Sequence, residues 1–333
     1  MQLGKGSYGV VTRYKSKARK TFKQLKSLIQ EYTALRYLED CDYVVHCIGV
    51  NFHELYLDME LYDISLKTYM EKNILKEEEK HIIIRNVLFG IVELQDLKLS
   101  HSDIKPGNIL IQKEPLRAVL GDCGFVSLYE YAKQQRTAPA YRDLEIVNDD
   151  KHDIYSFGIM YMEMMYNIQP NDYKNYKEIY RTIDYYVPKN QQHYMKKLVY
   201  HEREKRPDAR SILHTLYTLS PTTYKLSLIK YKHYNKVLYE YMSQYAKQLN
   251  IRRCKSGYYA LSYYIHHNGV DSSQYPYYIT AMLIILASMF ANKAERIDDI
   301  IKHTQHHLYR EKIIDIISRL IKNKIVIQIL YKI

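Results

Sequence analysis

The sequence predicts an α+β chain: a small β-rich first segment, a mostly helical middle, and a last third that is all helix. Three observations carry this. The 333 residues exceed the usual size of one hydrophobic core, so more than one domain is expected. Strand-like runs TFKQL (21–25) and LYLDMEL (55–61) flank SLIQEYTALRYL (27–38), whose Leu28, Tyr32, Leu35 and Leu38 recur at helical spacing. After TLSPTTY (218–224), a junction by its turn-forming residues, only helical periodicity follows.

Composition narrows the class. An apolar fraction of 47%, with 26% charged residues and only 8 Pro and 11 Gly, leaves no stretch that reads as a long disordered tail. Cys41, Cys47, Cys123 and Cys254 show no CxxC spacing, which argues against a disulfide scaffold or a zinc site and for a reducing compartment. The N-terminal MQLGKGSYG lacks the basic-then-apolar pattern of a signal peptide, so an intracellular protein is expected, in the cytoplasm or nucleus. The most apolar run, Ile279 to Ala291, is ~13 residues against the ~20 that a bilayer crossing needs. It reads as a buried central helix, and no membrane partner is expected. The 37 Tyr, absent Trp and abundant Ile, Lys and Asn fit A+T-rich codons, as in a viral or parasite genome; if viral, the compartment would be that of a host cell. Residues 221–333 hold 17 Lys and Arg against 7 Asp and Glu, which places +10 of the net +12 there. No Arg/Lys-rich run or aromatic stacking pattern accompanies that charge, so a solvated basic face is favoured over a nucleic-acid partner.

Two strings carry chemistry. LGKGSYGVV places Gly4, Gly6 and Gly9 as GxGxxG with Val11 behind them. Such glycines let a backbone approach phosphate closely, although a glycine-rich turn alone is often only a turn. HSDIKPGNIL (101–110) is far more specific: Asp103 supplies a carboxylate for an attacking hydroxyl, Lys105 a cation for a transferring phosphate, and Asn108 an amide oxygen for Mg2+. Twelve residues after Leu110, beyond the short apolar strand RAVLG, comes Asp122-Cys123-Gly124.

HxDxKxxN followed at this distance by DxG resembles the eukaryotic protein kinase family, and lysine two residues after the aspartate is its Ser/Thr form. The resemblance implies a bilobal kinase fold, with an N-lobe over 1–62 and a helical C-lobe over 63–219, ATP and Mg2+ as cofactors, and a protein substrate. It implies that Asp122 and Asn108 hold Mg2+, and that Gly4, Gly6, Gly9 and Val11 cover the nucleotide. By the same pattern Lys23 is expected at the VAIK lysine, with Thr21 in place of its alanine, and Glu31 as its partner on the helix. Met59 would be the gatekeeper, with Glu60 and Leu61 offering backbone groups to adenine. TAPAYRDLE (137–145) looks like the end of an activation segment, Asp153 in DIYSFG like the anchor of the catalytic loop, and Arg206 like the partner of an activation-segment glutamate, expected to be Glu145.

Departures bear on function. Cys123 replaces the usual phenylalanine and reads as a small buried hydrophobe. Ser102, Gln30 and Ser127 stand where phosphate-gripping arginines occur in many kinases, and Lys133 sits at the usual phosphorylation position. Activity without activation-loop phosphorylation is therefore expected. Ser7 and Tyr8 match an inhibitory phosphorylation pair, but such a pair is common in these loops. A pseudokinase scaffold, binding nucleotide or a partner without phosphoryl transfer, is the alternative.

Residues 220–333 read as about five helices, through YKHYNKVLYEYMSQYAKQL, SGYYALSYYIHH, YITAMLIILASMFA, RIDDIIKHT and REKIIDIISRLIK. LNIRRCKSGYYALSYYIHHNGVD and AMLIILASMFANK resemble a cyclin box, with Met289, Ala291 and Asn292 departing from its Lys-x-Glu-Glu group. SLIQE is similar to the PSTAIRE helix, with Ile29 at the isoleucine that cyclins bury. The resemblance implies an all-α cyclin-like domain in intramolecular contact with the kinase, pressing Glu31 inward. His266, His267, His303, His306 and His307 have no companion ligands at zinc spacing and read as surface histidines.

Overall fold

The computed structural model describes residues 2–5, 9–129, 138–145, 149–217, 236–249, 251, 254–290, 300–301, 304 and 310–332. Its contacts divide into two compact units, the first comprising Met1–Asp40, His46–Leu61 and Leu226–Ile333. The segment expected as a third domain thus shares a unit with the N-terminal sheet.

That sheet contains β1 (Gln2–Lys5), β2 (Gly9–Tyr14), β3 (Lys17–Phe22), β4 (Cys47–Asn51) and β5 (Tyr56–Glu60), in the order β1-β2-β3-β5-β4 with antiparallel pairing. Period-two alternation places Ala18, Lys20 and Phe22 of β3 on the buried face. Arg19 takes the other face, lying 3.9 Å from the Tyr14 ring centroid and 3.6 Å from that of Tyr56 while gripping Asp58 at 2.7 and 2.9 Å. Gly9 is required where β2 meets β3, because a Cβ there would lie 2.2 Å from the Thr21 carbonyl oxygen.

Helix α1 (Leu25–Tyr37) follows β3, close to its expected span. It is buried nearly all round: Leu28, Ile29 and Ala34 have no exposed surface, and Leu25, Tyr32 and Leu35 have at most 5%. An amphipathic surface helix would leave one side wet. Here one side meets β3, β4 and β5, with Tyr32 edge-on to Phe52 at 5.6 Å, and the C-terminal helices cover the rest.

Within the second unit, Cys41–Val45 and Tyr62–Lys225, come β6 (Ile64–Ser65), α2 (Leu66–Lys72), α3 (Glu77–Asp96), β7 (Leu99–Ser100), β8 (Ile109–Lys113), β9 (Leu116–Leu120) and β10 (Ser127–Leu128). Helices α4 (Asp150–Tyr166), α5 (Tyr176–Tyr186), α6 (Lys189–Leu198) and α7 (Ala209–Tyr217) complete it. Three acidic residues in the first turn of α3 complement its dipole, and Ile83, Ile84, Val87, Leu88 and Ile91 form its buried stripe. Gly90 interrupts that stripe so that Leu120 and the Tyr43 carbonyl can approach, each within 2.9 Å of where a Cβ would stand. The 41–45 segment is tied down by the Asp42 and Tyr43 amides, which both donate to the Glu93 carboxylate at 2.9 Å. Helix α4 starts on an Asp149 cap, whose carboxylate accepts from the Lys151 and His152 amides, and is buried along most of its length.

The C-terminal helices of the first unit are α8 (Lys236–Gln248), α9 (Cys254–Asn268), α10 (Tyr275–Phe290), α11 (Arg310–Lys322) and α12 (Lys324–Lys332). As expected, α10 is the central one, buried from Tyr278 through Phe290. RIDDIIKHT lies mostly outside the described residues. Helix α12 was not anticipated, because KIVIQILYK is a short apolar run whose period does not separate helix from strand. Gly257 lets α9 approach α10, since a Cβ there would lie 2.5 Å from Leu286 Cδ1. Gly257→Val should overpack this contact and lower stability by about 1–3 kcal/mol in urea unfolding, outweighing any gain in helix propensity.

Candidate active site

The first unit carries one part of the expected chemistry. Gly4 lies on β1, Gly9 and Val11 on β2, and Val11 pairs with Lys20 across the β2–β3 ladder. Gly6, Ser7 and Tyr8 lie outside the described residues. Glu31 is buried on α1, and the lysine it meets is Lys20, not Lys23: Lys20 Nζ reaches Glu31 Oε2 at 2.6 Å, with both side chains under 10% exposed. Lys23 follows the last residue of β3 and is exposed. Strand parity explains the correction, because Ala18, Lys20 and Phe22 point inward together while Lys23 falls past the strand on the other parity. Ala18-Arg19-Lys20 also supplies the alanine that Thr21 was expected to replace. The signal was therefore present three residues upstream.

Met59 and Glu60 end β5, and Leu61 is the last residue of this unit's middle segment. The Glu60 amide donates to the His46 carbonyl at 3.1 Å, so that N–H is committed within the sheet.

In the second unit the 101–108 loop is fixed chiefly through its backbone. The Asp153 carboxylate, buried on α4, accepts the His101 amide at 2.6 Å and the Ser102 amide at 2.8 Å. Ser102 adopts φ of 64°, a left-handed conformation uncommon for serine, and these two bonds help hold it there. Burial pushes the Asp153 carboxyl up to about 7 against the opposing pull of the two amides. His101 Nε2 lies 3.0 Å from the Gly121 carbonyl, while the Gly121 amide donates to the Asn108 carbonyl at 2.8 Å. Burial lowers the His101 pKa to about 4, so the ring is neutral near pH 7 and Nε2 is the donor of that bond. Gly121 has no room for a side chain, since a Cβ would lie 2.9 Å from Leu110 and 3.3 Å from the Asn108 oxygen.

This scaffold presents Asp103 in a specific way. Its Oδ2 accepts Lys105 Nζ at 2.7 Å and Asn108 Nδ2 at 2.6 Å, while Oδ1 is buried without a hydrogen-bond partner among the described residues. A buried carboxylate oxygen left open is suited to accept a hydroxyl proton. Burial raises the Asp103 pKa, the Lys105 and Asn108 contacts oppose the rise, and the charge of Asp122 adds to it. Asp122 sits next to Gly121 with φ of 54° and ψ of 63° and leads into the short 3-10 turn Cys123–Phe125. Cys123 is fully buried, in keeping with a packing role.

The donor set fits the cofactors. Asn108 spends its amide nitrogen on Asp103, and its amide oxygen accepts no hydrogen bond from the described residues. Asp122 and that oxygen are hard ligands of the kind Mg2+ takes together with substrate phosphates. Among the described residues no group of three or more His, Cys, Asp or Glu could hold a metal by itself.

A second buried ion cluster lies in the same unit, and it corrects another expectation. Arg206 pairs with Asp143, Nη1 to Oδ2 at 2.5 Å and Nη2 to Oδ1 at 3.2 Å, and Arg203 Nη1 joins the same carboxylate at 3.0 Å. Tyr176 donates its hydroxyl to Asp143 at 2.9 Å. Glu145 is half exposed, and the arginine it approaches is Arg203, at 3.8 Å. A fully buried guanidinium needs a fully buried counter-charge, and in RDLE that is the aspartate. Lys133 and Thr137 lie outside the described residues, as do His303, His306 and His307; His266 and His267 are exposed.

With this geometry in place, comparison with known proteins decides the family: the profile of the protein kinase domain matches residues 1–224. The chain belongs to the protein kinase family. Among its relatives, a zebrafish (Danio rerio) serine/threonine-protein kinase SBK1 is 28% identical over 190 residues, covering 49% of this chain and 49% of that protein. A probable serine/threonine-protein kinase PLK of Dictyostelium discoideum is 28% identical over 220 residues, 60% of this chain and 22% of its own length. The Caenorhabditis elegans serine/threonine-protein kinase cst-1 is 30% identical over 187 residues, 49% of this chain and 37% of its own. The chain thus spans about half or less of the length of these relatives.

Two outcomes follow for this kinase domain. Lys20→Met should remove the lysine partner of the buried Glu31 carboxylate and cost on the order of 3 kcal/mol in denaturant unfolding, whereas Lys23→Met should leave the midpoint where it was. Because the folded Asp153 carboxyl keeps a proton that the unfolded one releases above 3.8, its contribution to stability declines as pH rises from there through about 7. Asp153→Asn should remove that pH slope and, by leaving one loop amide without its acceptor, lower stability by about 1–3 kcal/mol at pH 8.

Proposed function

We propose that this chain is a Ser/Thr protein kinase, transferring the γ-phosphate of ATP to protein hydroxyls and held active by its own C-terminal helices. The observation that carries the reading is the Asp103–Lys105–Asn108 constellation, with Oδ1 of Asp103 left open beside two groups suited to phosphate and metal. Bound Mg-ATP supplies the transferring phosphoryl group and the metal charge that balances it. Asp103 Oδ1 orients the substrate hydroxyl and accepts its proton. Lys105 would lend positive charge to the phosphoryl group, Asn108 and Asp122 would hold Mg2+, and Lys20, paired with Glu31, would neutralise nucleotide phosphates. Nearly all of this is positioning and electrostatics.

The second part of the reading rests on α1. In this unit α10, α11 and α12 pack on the helix that carries Glu31, and Ile29 is fully buried. A cyclin-like role for these helices supplies an activator by covalent linkage, at high effective concentration. It also fits the residues at the positions expected to grip an activation-segment phosphate, Ser102, Gln30 and Ser127, none of them an arginine. Ser102 is buried, its hydroxyl 3.0 Å from that of Ser100, and does not present a phosphate-binding group. No described helix is long and apolar enough to cross a membrane. We place the protein inside a cell, a host cell if its origin is viral.

Phosphorylation of a generic basic protein by the full chain tests this directly. Asp103→Asn should lower kcat by about two to four orders of magnitude while Mg-ATP still binds, with label on Ser and Thr of the product. Nucleotide binding by the unaltered chain without any transfer would instead establish the scaffold role.

A further inference from the structure

Besides the packing along its length, α1 has polar and aromatic contacts with the C-terminal helices at its C-terminal end. Arg36 Nη2 donates to the carbonyl of Lys322 at 3.4 Å, at the end of α11 where helix carbonyls lack intrahelical partners. Lys324, the first residue of α12, reaches Glu39 at 2.9 Å and Asp40 at 3.0 Å, just beyond α1. Between them Asn323 stiffens the turn, its Oδ1 accepting the Ile325 and Val326 amides at 3.1 and 3.2 Å. At the other end of α12, Tyr331 stacks on Tyr37 with centroids 4.2 Å apart and planes 11° from parallel, and meets Phe290 of α10 edge-on at 6.5 Å. Helix α12 therefore grips the end of α1 at two points, one ionic and one aromatic.

Glu31 lies six residues before Tyr37, about 9 Å along the helix axis. Its carboxylate must stay 2.6 Å from Lys20 for the pair to hold. Fraying or tilting of the last turns of α1 would move Glu31 through distances that this short contact does not tolerate. The pairing partners on β2 and β5 fix Lys20, so α1 is the element whose end needs holding.

We propose that Tyr331 and Lys324 are positioning residues for Glu31, forming a latch on the end of α1 that keeps the Lys20–Glu31 pair assembled before nucleotide arrives. The latch deepens the kinase reading and rests on it for its consequence at the nucleotide; its effect on α1 does not. Lys324 supplies the weaker grip, because its side chain is 45% exposed and such pairs contribute little. Tyr331 supplies the stronger one, a buried aromatic stack.

The test uses the full chain with Tyr331→Ala, Lys324→Glu, and Lys324→Glu combined with Asp40→Lys. Hydrogen exchange of the α1 amides is followed first, then Mg-ATP affinity by calorimetry in an Asp103→Asn background, where turnover is removed. Tyr331→Ala should speed α1 exchange and weaken Mg-ATP about three- to tenfold. Lys324→Glu should weaken it about two- to fivefold, with most of the loss restored by the added Asp40→Lys, a rescue that general destabilisation would not produce. Should Tyr331→Ala unfold the unit outright, the charge-swap pair decides alone. Unchanged α1 exchange in Tyr331→Ala, or a double variant no better than Lys324→Glu, would overturn the latch. A chain that fails to transfer phosphate while its α1 exchange still responds to these variants would refute the kinase reading and leave the latch standing.

Discussion

The buried Lys20–Glu31 ion pair is the constraint around which the first unit is organised. Two charges removed from water are tolerated only when geometry is good and the surroundings hold both partners still. Lys20 is held by its ladder neighbours, Val11 on β2 and Leu57 on β5. Glu31 is held only as firmly as α1 is. That requirement accounts for the burial of α1, which is covered on nearly every side and has the Glu31 carboxylate as its principal buried charge. A helix written this way cannot stand at a solvent boundary, and the C-terminal helices supply the cover that the five-stranded sheet does not.

The second unit solves a related problem with different means. Its buried carboxylate Asp103 is positioned by a loop, and loops lack the ladder bonds that stiffen strands. Here the stiffness is imported from α4, through Asp153 onto two consecutive amides, and from the reciprocal bonds that tie His101 and Asn108 to Gly121. The result is a carboxylate with one oxygen saturated and the other open. Asp143 with Arg203 and Arg206 follows the same logic, with every buried charge given at least one charged partner.

How much of this was legible in the sequence depended on whether the information was contiguous. The meeting of Asp103, Lys105 and Asn108 was readable because they lie within one short string whose spacing the loop geometry imposes. Lys20 was missed because KTFK offers two lysines, and only the end of β3 at Phe22 decides which one points inward. Asp143 was missed for a similar reason, since choosing between the acids of RDLE requires knowing which is fully buried against Arg206. The periodicity of residues 231–322 disclosed helices and an apolar central one. It did not disclose that α1 was their partner, because apolar positions record burial without recording what covers them. Helix α12 escaped altogether, being too short for its period to speak.

Burial of α1 on both faces also bears on how such a unit can be controlled. Withdrawing the helix from Lys20 would expose side chains such as Leu28, Ile29 and Leu35, each worth about 1.5–3 kcal/mol when fully buried. Exposing even two of them would hold the withdrawn state to well under about 1% of the population. A ligand would have to favour that state by several kcal/mol to make it dominant, which a weak surface contact cannot supply. Movement of α1 as a whole is therefore costly, whereas loosening of its last turns exposes less apolar surface and costs less. Regulation that preserves the fold has to act on an element with less buried apolar surface, or on the end of α1, where a tyrosine stack and an exposed lysine are among the contacts that hold the helix.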